Sequence, residues 1–358
     1  MSRSAVPQSS GHGTNAVGRT LGHNLAAGIV TVMSLFLRGL WLELRVIPVL
    51  LWSFSAITLG TALAAHDGTL RAWYYLGAVA LGVMIQGVLA HTVNEIEDWR
   101  SGTDRHRSPR VISGGSKVLV AGLLTERALA GLFAAALLAT TVLGLVMVAE
   151  RGVVMLPFGL AGVLGAVLYT LPPVRLAYRP FAGEAVAFGC LWLCVAGAAV
   201  LQGGDVGADI ALAAVAVAAY AVGMLMMHHY LDHDADRAAS PRKLTTIVLL
   251  GRERGRLYAT GWCAVALSAA VAAALSQPRL APLVVTYAIA IAVHLRCRPD
   301  DVESVTRSEL AVIFLGISGA LVSAALLVPE LALAAPAAAL LVALELRLAV
   351  PPAGASAA

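Results

Sequence analysis

The residues of this sequence best suited to chemistry are oxygen donors gathered in two short acidic stretches. The first reads Asn94-Glu95-Ile96-Glu97-Asp98, followed by Gly102 and Asp104. Asn94 and Asp98 are four apart, so on a helical turn their side-chain oxygens face the same way. Gly102 permits a sharp turn that brings Asp104 back toward them. The second stretch runs His228-His229-Tyr230-Leu231-Asp232-His233-Asp234-Ala235-Asp236, with Asp232 and Asp236 again four apart. Hard oxygen donors select Mg²⁺ or Ca²⁺, and Mg²⁺ is typically held by one or two carboxylates plus substrate phosphate oxygens. Cations follow each stretch: Arg105, Arg107, Arg110 and Lys117 after the first, Arg237, Arg242 and Lys243 after the second. Acids that hold a metal, beside cations that hold anionic oxygens, are the composition a diphosphate site needs. One such loop is ordinary solvated charge; two with matched pairs at matched helix ends argue for a site. His229, Asp232 and His233 also have a spacing that suits a transition metal, but no further matched ligand group accompanies them.

Both stretches lie where a long apolar run ends. The chain has 358 residues, 59% hydrophobic and only 13% charged, with a mean hydropathy of +0.81. Soluble domains carry roughly 25% charge, so a water-soluble fold is excluded. A bilayer-spanning helix needs about 20 mainly apolar residues. Runs of that kind cover 46–65, 74–93, 128–148, 153–171, 184–202, 209–231, 257–276, 280–296 and 310–328, with a weaker tenth at 333–349. The runs do not alternate in polarity, as barrel strands would. The expected fold is therefore all-α: a polytopic membrane bundle of nine helices, or ten with the weaker run, around a central cavity. Residues 29–350 form one membrane domain, between a tail at 1–28 rich in Ser and Gly and a short tail at 351–358. The first tail lacks the apolar core of a signal peptide and is expected to be disordered. Cys190, Cys194, Cys263 and Cys297 lie in or beside apolar runs with no paired spacing, and read as small packing residues.

The basic residues report orientation. Of 25 Lys and Arg, only Arg71, Arg151 and Arg279 fall on the side of the short connections. The positive-inside rule then assigns the long loops and the N-terminus to the cytoplasm. The sequence pI of about 9.0 is thus topology signalling, and no nucleic-acid partner is expected. Trp41, Trp52 and Trp73 read as interface residues, and Trp99 as a wall of the site.

At the acidic loops the chain resembles the UbiA-type intramembrane prenyltransferases. Asn94-Glu95-x-x-Asp98-x-x-x-Gly102-x-Asp104 is similar to that family's first motif, in the longer form of the branch that prenylates 1,4-dihydroxy-2-naphthoate. Arg110-Val-Ile-Ser-Gly114-Gly115-Ser116-Lys117 is also similar to that branch. Asp232, Asp236, Lys243, Thr245 and Leu250-Gly251 match the second motif, and Tyr169 to Glu184, including Arg175 and Tyr178, resembles the loop after the fourth helix. The resemblance covers roughly residues 40–330. Three departures stand out: Glu95 for the usual Asp, His228-His229-Tyr230-Leu231 where the naphthoate branch has Asn-Asn-x-Arg, and a segment at Ser240–Lys243 about two residues longer.

The resemblance implies a polyprenyl diphosphate whose tail enters a lipid-facing cavity while its head meets Mg²⁺, or Mn²⁺, at the cytoplasmic boundary of a bacterial cell membrane. It implies Asn94, Asp98, Asp104, Asp232 and Asp236 as metal ligands, with Glu95 a weaker choice. Asp98, Asp232 and Tyr169 carry the catalytic roles, Tyr169 through its ring. Lys117 and Lys243 contact the diphosphate with Arg110 in support; Arg175 faces the same cavity, and His229 lines the pocket of a small aromatic, quinone-precursor-like acceptor. Two other readings compete. A terpene cyclase on this scaffold would capture the cation with the substrate's own alkenes. A transporter would carry charges near the bilayer midplane, whereas here the acids gather at one boundary.

Overall fold

The computed structural model describes residues 33–105 and 115–349, and among these there are ten helices long and apolar enough to cross a membrane and no strand. They are α1 (Met33–Ala65), α2 (Ala72–Ser101), α3 (Glu126–Arg151), α4 (Val153–Thr170), α5 (Ala182–Gln202), α6 (Ala208–His228), α7 (Arg252–Ser276), α8 (Pro278–Arg296), α9 (Val302–Leu327) and α10 (Pro329–Leu348). The weak tenth run is thus a full helix. The two tails and residues 106–114, with Arg110, lie outside the described residues.

Boundaries shift where polar residues continue a helix beyond its apolar run. Helix is already present at Met33, well before the apolar run at 46, and its turns there carry Arg38, Glu43 and Arg45 among apolar neighbours. The chain breaks at Arg45, in a left-handed conformation with φ 47°. α2 continues to Ser101, so Asn94 and Asp98 do stand on a helix, which Gly102 ends at φ 89°. α6 stops at His228, and Asp232 opens a separate short helix, His233–Ala238. The i,i+4 relation survives there, with the Asp236 N–H donating to the Asp232 carbonyl at 2.8 Å.

Burial grades across the bundle. In their most apolar stretches α1 and α6 are 83% buried, whereas α3 and α4 are 17% and 11%. With no hydrophobic drive between helices in lipid, close approach needs small residues. Gly60 of α1 meets the Val195 backbone of α5, and Gly223 of α6 meets Cys263 of α7. α6 therefore forms the axis, packed by α5, α7 and α9.

A cavity of about 480 Å³ lies beside this axis. Its walls come from α1 to α6 and the start of α9, while α7, α8 and α10 stand behind and contribute nothing. Along α2 the wall is a stripe of residues four apart: Ala78, Gly82, Gln86, Ala90, Asn94 and Asp98. In a regular α-helix residues four apart drift by about 40°, and five such steps would turn the stripe away. Residues Val83–Ala90 are instead π-helical, which widens the turn and holds the stripe on one face. A second π-helical turn, Leu50–Phe54, faces it from α1, and Ser53 Oγ donates to Gln86 Oε1 between them. π-turns of this kind are frequent at functional sites.

Candidate functional site

The acidic mouth of the cavity is assembled around Asp98. Its carboxylate is 3% exposed and takes three donors. Tyr178 Oη donates to Oδ1 at 2.7 Å, while Lys243 Nζ at 2.8 Å and Asn94 Nδ2 at 2.9 Å donate to Oδ2. Lys243 Nζ is also 3.7 Å from Asp236 Oδ1. One ammonium therefore bridges the two acidic loops, which far apart in sequence are on the same side of the bundle. Backbone ties fix this docking: Ser240 N–H donates to the Ser101 carbonyl, Lys243 N–H to that of Asp236 and Leu244 N–H to that of Tyr178.

The electrostatics follow from enclosure. Burial pushes the Asp236 carboxyl up to about 7, with the Asp232 and Asp98 charges adding to it against the pull of Lys243. Burial opposes charge on Lys243, but Asp98 and Asp236 outweigh it and hold the ammonium well above its ordinary value. Asp104 is brought back by the Gly102 turn, its N–H donating to the Asp98 carbonyl at 3.2 Å. Burial, then the charges of Asp98 and Glu95, raise its carboxyl well above the usual range. Gly115, at φ 63°, approaches Asp104 and Glu95 so closely that a side chain there would collide with both carboxylates.

Asn94, Asp98, Asp104, Tyr169, His229, Asp232, Asp236 and Lys243 all line the cavity, as the sequence predicts. Three other residues do not. Lys117 is 3% exposed in a left-handed turn at φ 64° and stands away from the cavity wall. Arg175 turns to Glu97, with Nη2 2.7 Å from Oε2, because a buried carboxylate next to the motif outcompetes the cavity for its charge. Glu95 faces the 115–118 turn, accepting the Ser116 N–H at 2.7 Å. Trp52, expected at an interface, lines the cavity, whereas Trp99 does not. His233 turns to Asp234, Nδ1 to Oδ1 2.8 Å, which undoes the transition-metal spacing.

Sequence reasoning missed four contributors. Tyr178 braces Asp98 and has a cation, Arg175 or Lys243, 5.4 Å from its ring centre on each account. Glu309 of α9, 1% exposed, holds His228 Nδ1 at 2.6 Å, so His228 is oriented with Nε2 3.9 Å from Asp232. Arg45 and Gln86 also line the cavity. The motif position of Tyr178 was the only signal available; Gln86 stands inside a run that reads simply as helix, and Arg45 and Glu309 stand one residue before runs, where charge reads as a helix boundary.

A divalent metal fits this donor set. Both Asp236 oxygens are buried without a hydrogen-bond donor within reach, and Asn94, Asp98, Asp104 and Asp232 add hard oxygen at the same mouth. Among the described residues, no three His, Cys, Asp or Glu converge as a ready-made metal cluster. That suits Mg²⁺, which keeps waters and shares substrate phosphate oxygens rather than filling an all-protein cage.

Fold and site together define a multi-pass helical membrane protein with an apolar cavity and an acidic, cation-bridged mouth. The UbiA prenyltransferase family model matches residues 50–309, and the chain belongs to that family. Membership supports prenyl transfer as its activity. No curated protein matches the chain. Among solved structures it is similar to a UbiA homologue from Archaeoglobus fulgidus bound to DMAPP and Mg²⁺, with a TM-score of 0.59 and 15% identity over 80% of this chain and 99% of that one. A UbiA homologue from Archaeoglobus fulgidus bound to GPP and Mg²⁺ gives a TM-score of 0.55 and 16% identity, over 78% of this chain and 98% of that one. At such identities the likeness is one of fold.

Proposed function

We propose that the protein transfers a polyprenyl group from its diphosphate to a small aromatic acceptor of the dihydroxynaphthoate type. The observation that carries this reading is the Lys243 bridge between Asp98 and Asp236 at the mouth of an apolar cavity. The archaeal homologues bound to prenyl diphosphates and Mg²⁺ support the donor half of the reading.

Asn94, Asp98, Asp104, Asp232 and Asp236 would hold Mg²⁺, directly or through water. When bound, the ion neutralises diphosphate charge and lowers the barrier to breaking the allylic carbon–oxygen bond. Lys243 holds a diphosphate oxygen with charge fixed in advance by its aspartates. Tyr169, which lines the cavity, would offer its ring to the allylic carbon, where a π-face stabilises positive charge. The apolar walls below exclude water, which would otherwise capture that carbon. His229 borders the acceptor. The reaction joins the allylic carbon to a ring carbon and releases diphosphate and the displaced ring proton. The acidic mouth faces the cytoplasm of a bacterial cell, on the side where the basic residues gather.

The test is a membrane-fraction assay with labelled prenyl diphosphates and a panel of aromatic acceptors, read by mass spectrometry. Prenylated product that forms only when an acceptor is added is the expected result. Hydrocarbon released without any acceptor would make the protein a terpene cyclase instead.

A further inference from the structure

Arginine is sparse on the face opposite the acidic mouth, yet two of the three there, Arg71 and Arg151, meet. Arg71 directly precedes α2 and Arg151 ends α3. Their guanidinium carbons stand 5.9 and 5.5 Å from the centre of one ring, that of Tyr74. At their tips, Arg151 Nη2 and Arg71 Nη1 lie 3.0 and 3.5 Å from the point that a Cβ on Gly203, just past α5, would occupy. Like charges this close disfavour one another, and an aromatic ring attracts cations without cancelling their charge. A carboxylate between them is the ordinary remedy, but the acids of this face turn elsewhere. Asp67 stands 3.0 Å from His66 Nε2, and Glu150, next to Arg151 in the chain, accepts from Trp73 Nε1 at 3.0 Å. Among the described residues no carboxylate, Asp205 of the adjoining loop included, pairs with either guanidinium. Arg151 Nη2 donates to the Val200 carbonyl at 3.3 Å, and its Nε is buried with no acceptor. α2 begins beside them with no acid in its first turn and no capping side chain, so the positive end of its dipole adds to the same charge.

We infer that Arg71, Arg151 and the gap left by Gly203 bind a phosphate group, carried by an anionic phospholipid of that leaflet or free in solution. The forked donors of arginine match phosphate oxygens, and one such oxygen would satisfy the stranded Nε–H. Neighbours set the level of the site in the membrane. Trp73 is exposed in the manner of an interfacial anchor, and Val153 and Val154, just past Arg151, are exposed apolar residues. The two guanidiniums therefore stand where headgroups meet acyl chains. Neither arginine lines the cavity, so the site is separate from the acidic mouth and does not depend on the prenyl-transfer reading. A bound phosphate ties together the ends of α2, α3 and α5, three helices that wall the cavity.

The experiment uses the full-length protein, delipidated in detergent and then given phosphatidylglycerol, phosphatidylcholine or inorganic phosphate, with bound molecules counted by native mass spectrometry. Basic residues on the other face also hold anionic lipid, so the readout is the difference between wild type and variant. The wild type should retain one phosphatidylglycerol more than Arg71→Gln/Arg151→Gln. Each single variant should hold that molecule about tenfold more weakly, the scale of a lost hydrogen bond to a charged group. Arg279→Gln, at the third arginine of that face, should change nothing. A phosphate adduct lost in the double variant, with lipid counts equal, would name free phosphate as the ligand. Circular dichroism reports whether the variants keep their helices. Should the glutamine pair fail to fold, Arg71→Lys/Arg151→Lys, which keeps both charges without the forks, should weaken binding likewise. Equal counts of both ligands in wild type and double variant, the same loss from Arg279→Gln, or phosphatidylcholine held as well as phosphatidylglycerol would overturn the site.

Discussion

Lys243 Nζ stands 2.8 Å from Asp98 Oδ2 although 145 residues separate them, and its second carboxylate, Asp236, is on the other side at 3.7 Å. All three side chains are nearly closed to solvent. The arrangement is one positive charge shared by two acids, each from a different loop, and it makes the loops a single site before any ligand arrives.

Removing that charge should therefore harm the fold as well as the activity. Breaking a buried ion pair by deleting one partner typically costs about 3–5 kcal/mol, because the remaining charge is stranded. Lys243→Met should lower the midpoint of thermal unfolding in detergent and abolish turnover. Adding Asp98→Asn should recover part of the stability and none of the activity. Wild-type stability in Lys243→Met would mean that the two aspartates do not depend on the bridge.

Metal removal separates ion from scaffold. EDTA should stop turnover, and Mg²⁺ or Mn²⁺ should restore it, because a diphosphate beside Asp98, Asp104, Asp232 and Asp236 is repelled unless cations compensate. The unfolding midpoint of the ligand-free protein should respond far less than activity does, since Lys243 already balances the most buried carboxylates. Full turnover in a chelated sample would sink the mechanism.

What the sequence made legible was local. The pairs Asn94/Asp98 and Asp232/Asp236 are carried by neighbouring turns, so spacing alone predicts their shared face, and the apolar runs predict nine helices firmly and the tenth, at 333–349, only weakly. Contacts between distant segments were not legible. Nothing near Arg175 in sequence reveals that Glu97 will claim it, and nothing near Lys117 reveals that it is buried in a left-handed turn outside the cavity lining. Glu309 stands at the start of a helix whose neighbours give no hint that His228 lies opposite. The π-helical stretch at Val83–Ala90 is likewise invisible to periodicity, because an apolar run reads the same whether its turns are regular or wide.

Asp98→Asn and Asp232→Asn test whether the two loops act as one unit. Each should reduce kcat by about a hundredfold or more, the scale seen when one preorganised electrostatic group is lost from a site. The double variant should be little worse than the poorer single one, as for residues that serve one step together. Multiplicative losses would assign the two aspartates to separate tasks.

The two adjacent histidines should divide by function. His228 is committed to Glu309 at 2.6 Å and borders Asp232, so it belongs to the acidic mouth. His229 also lines the cavity and occupies the segment where the chain departs from the naphthoate branch. His229→Asn should therefore raise the acceptor KM several-fold and leave the prenyl-diphosphate KM nearly unchanged, as expected when a contact to one substrate alone is removed. Glu309→Gln should do the reverse, since loosening His228 disturbs the side that meets the diphosphate. The measurement is both KM values for both variants in the same membrane preparation. If His229→Asn raised only the prenyl-diphosphate KM, His229 would join the diphosphate half of the site, and the acceptor would have to be sought along Arg45 and Gln86 instead.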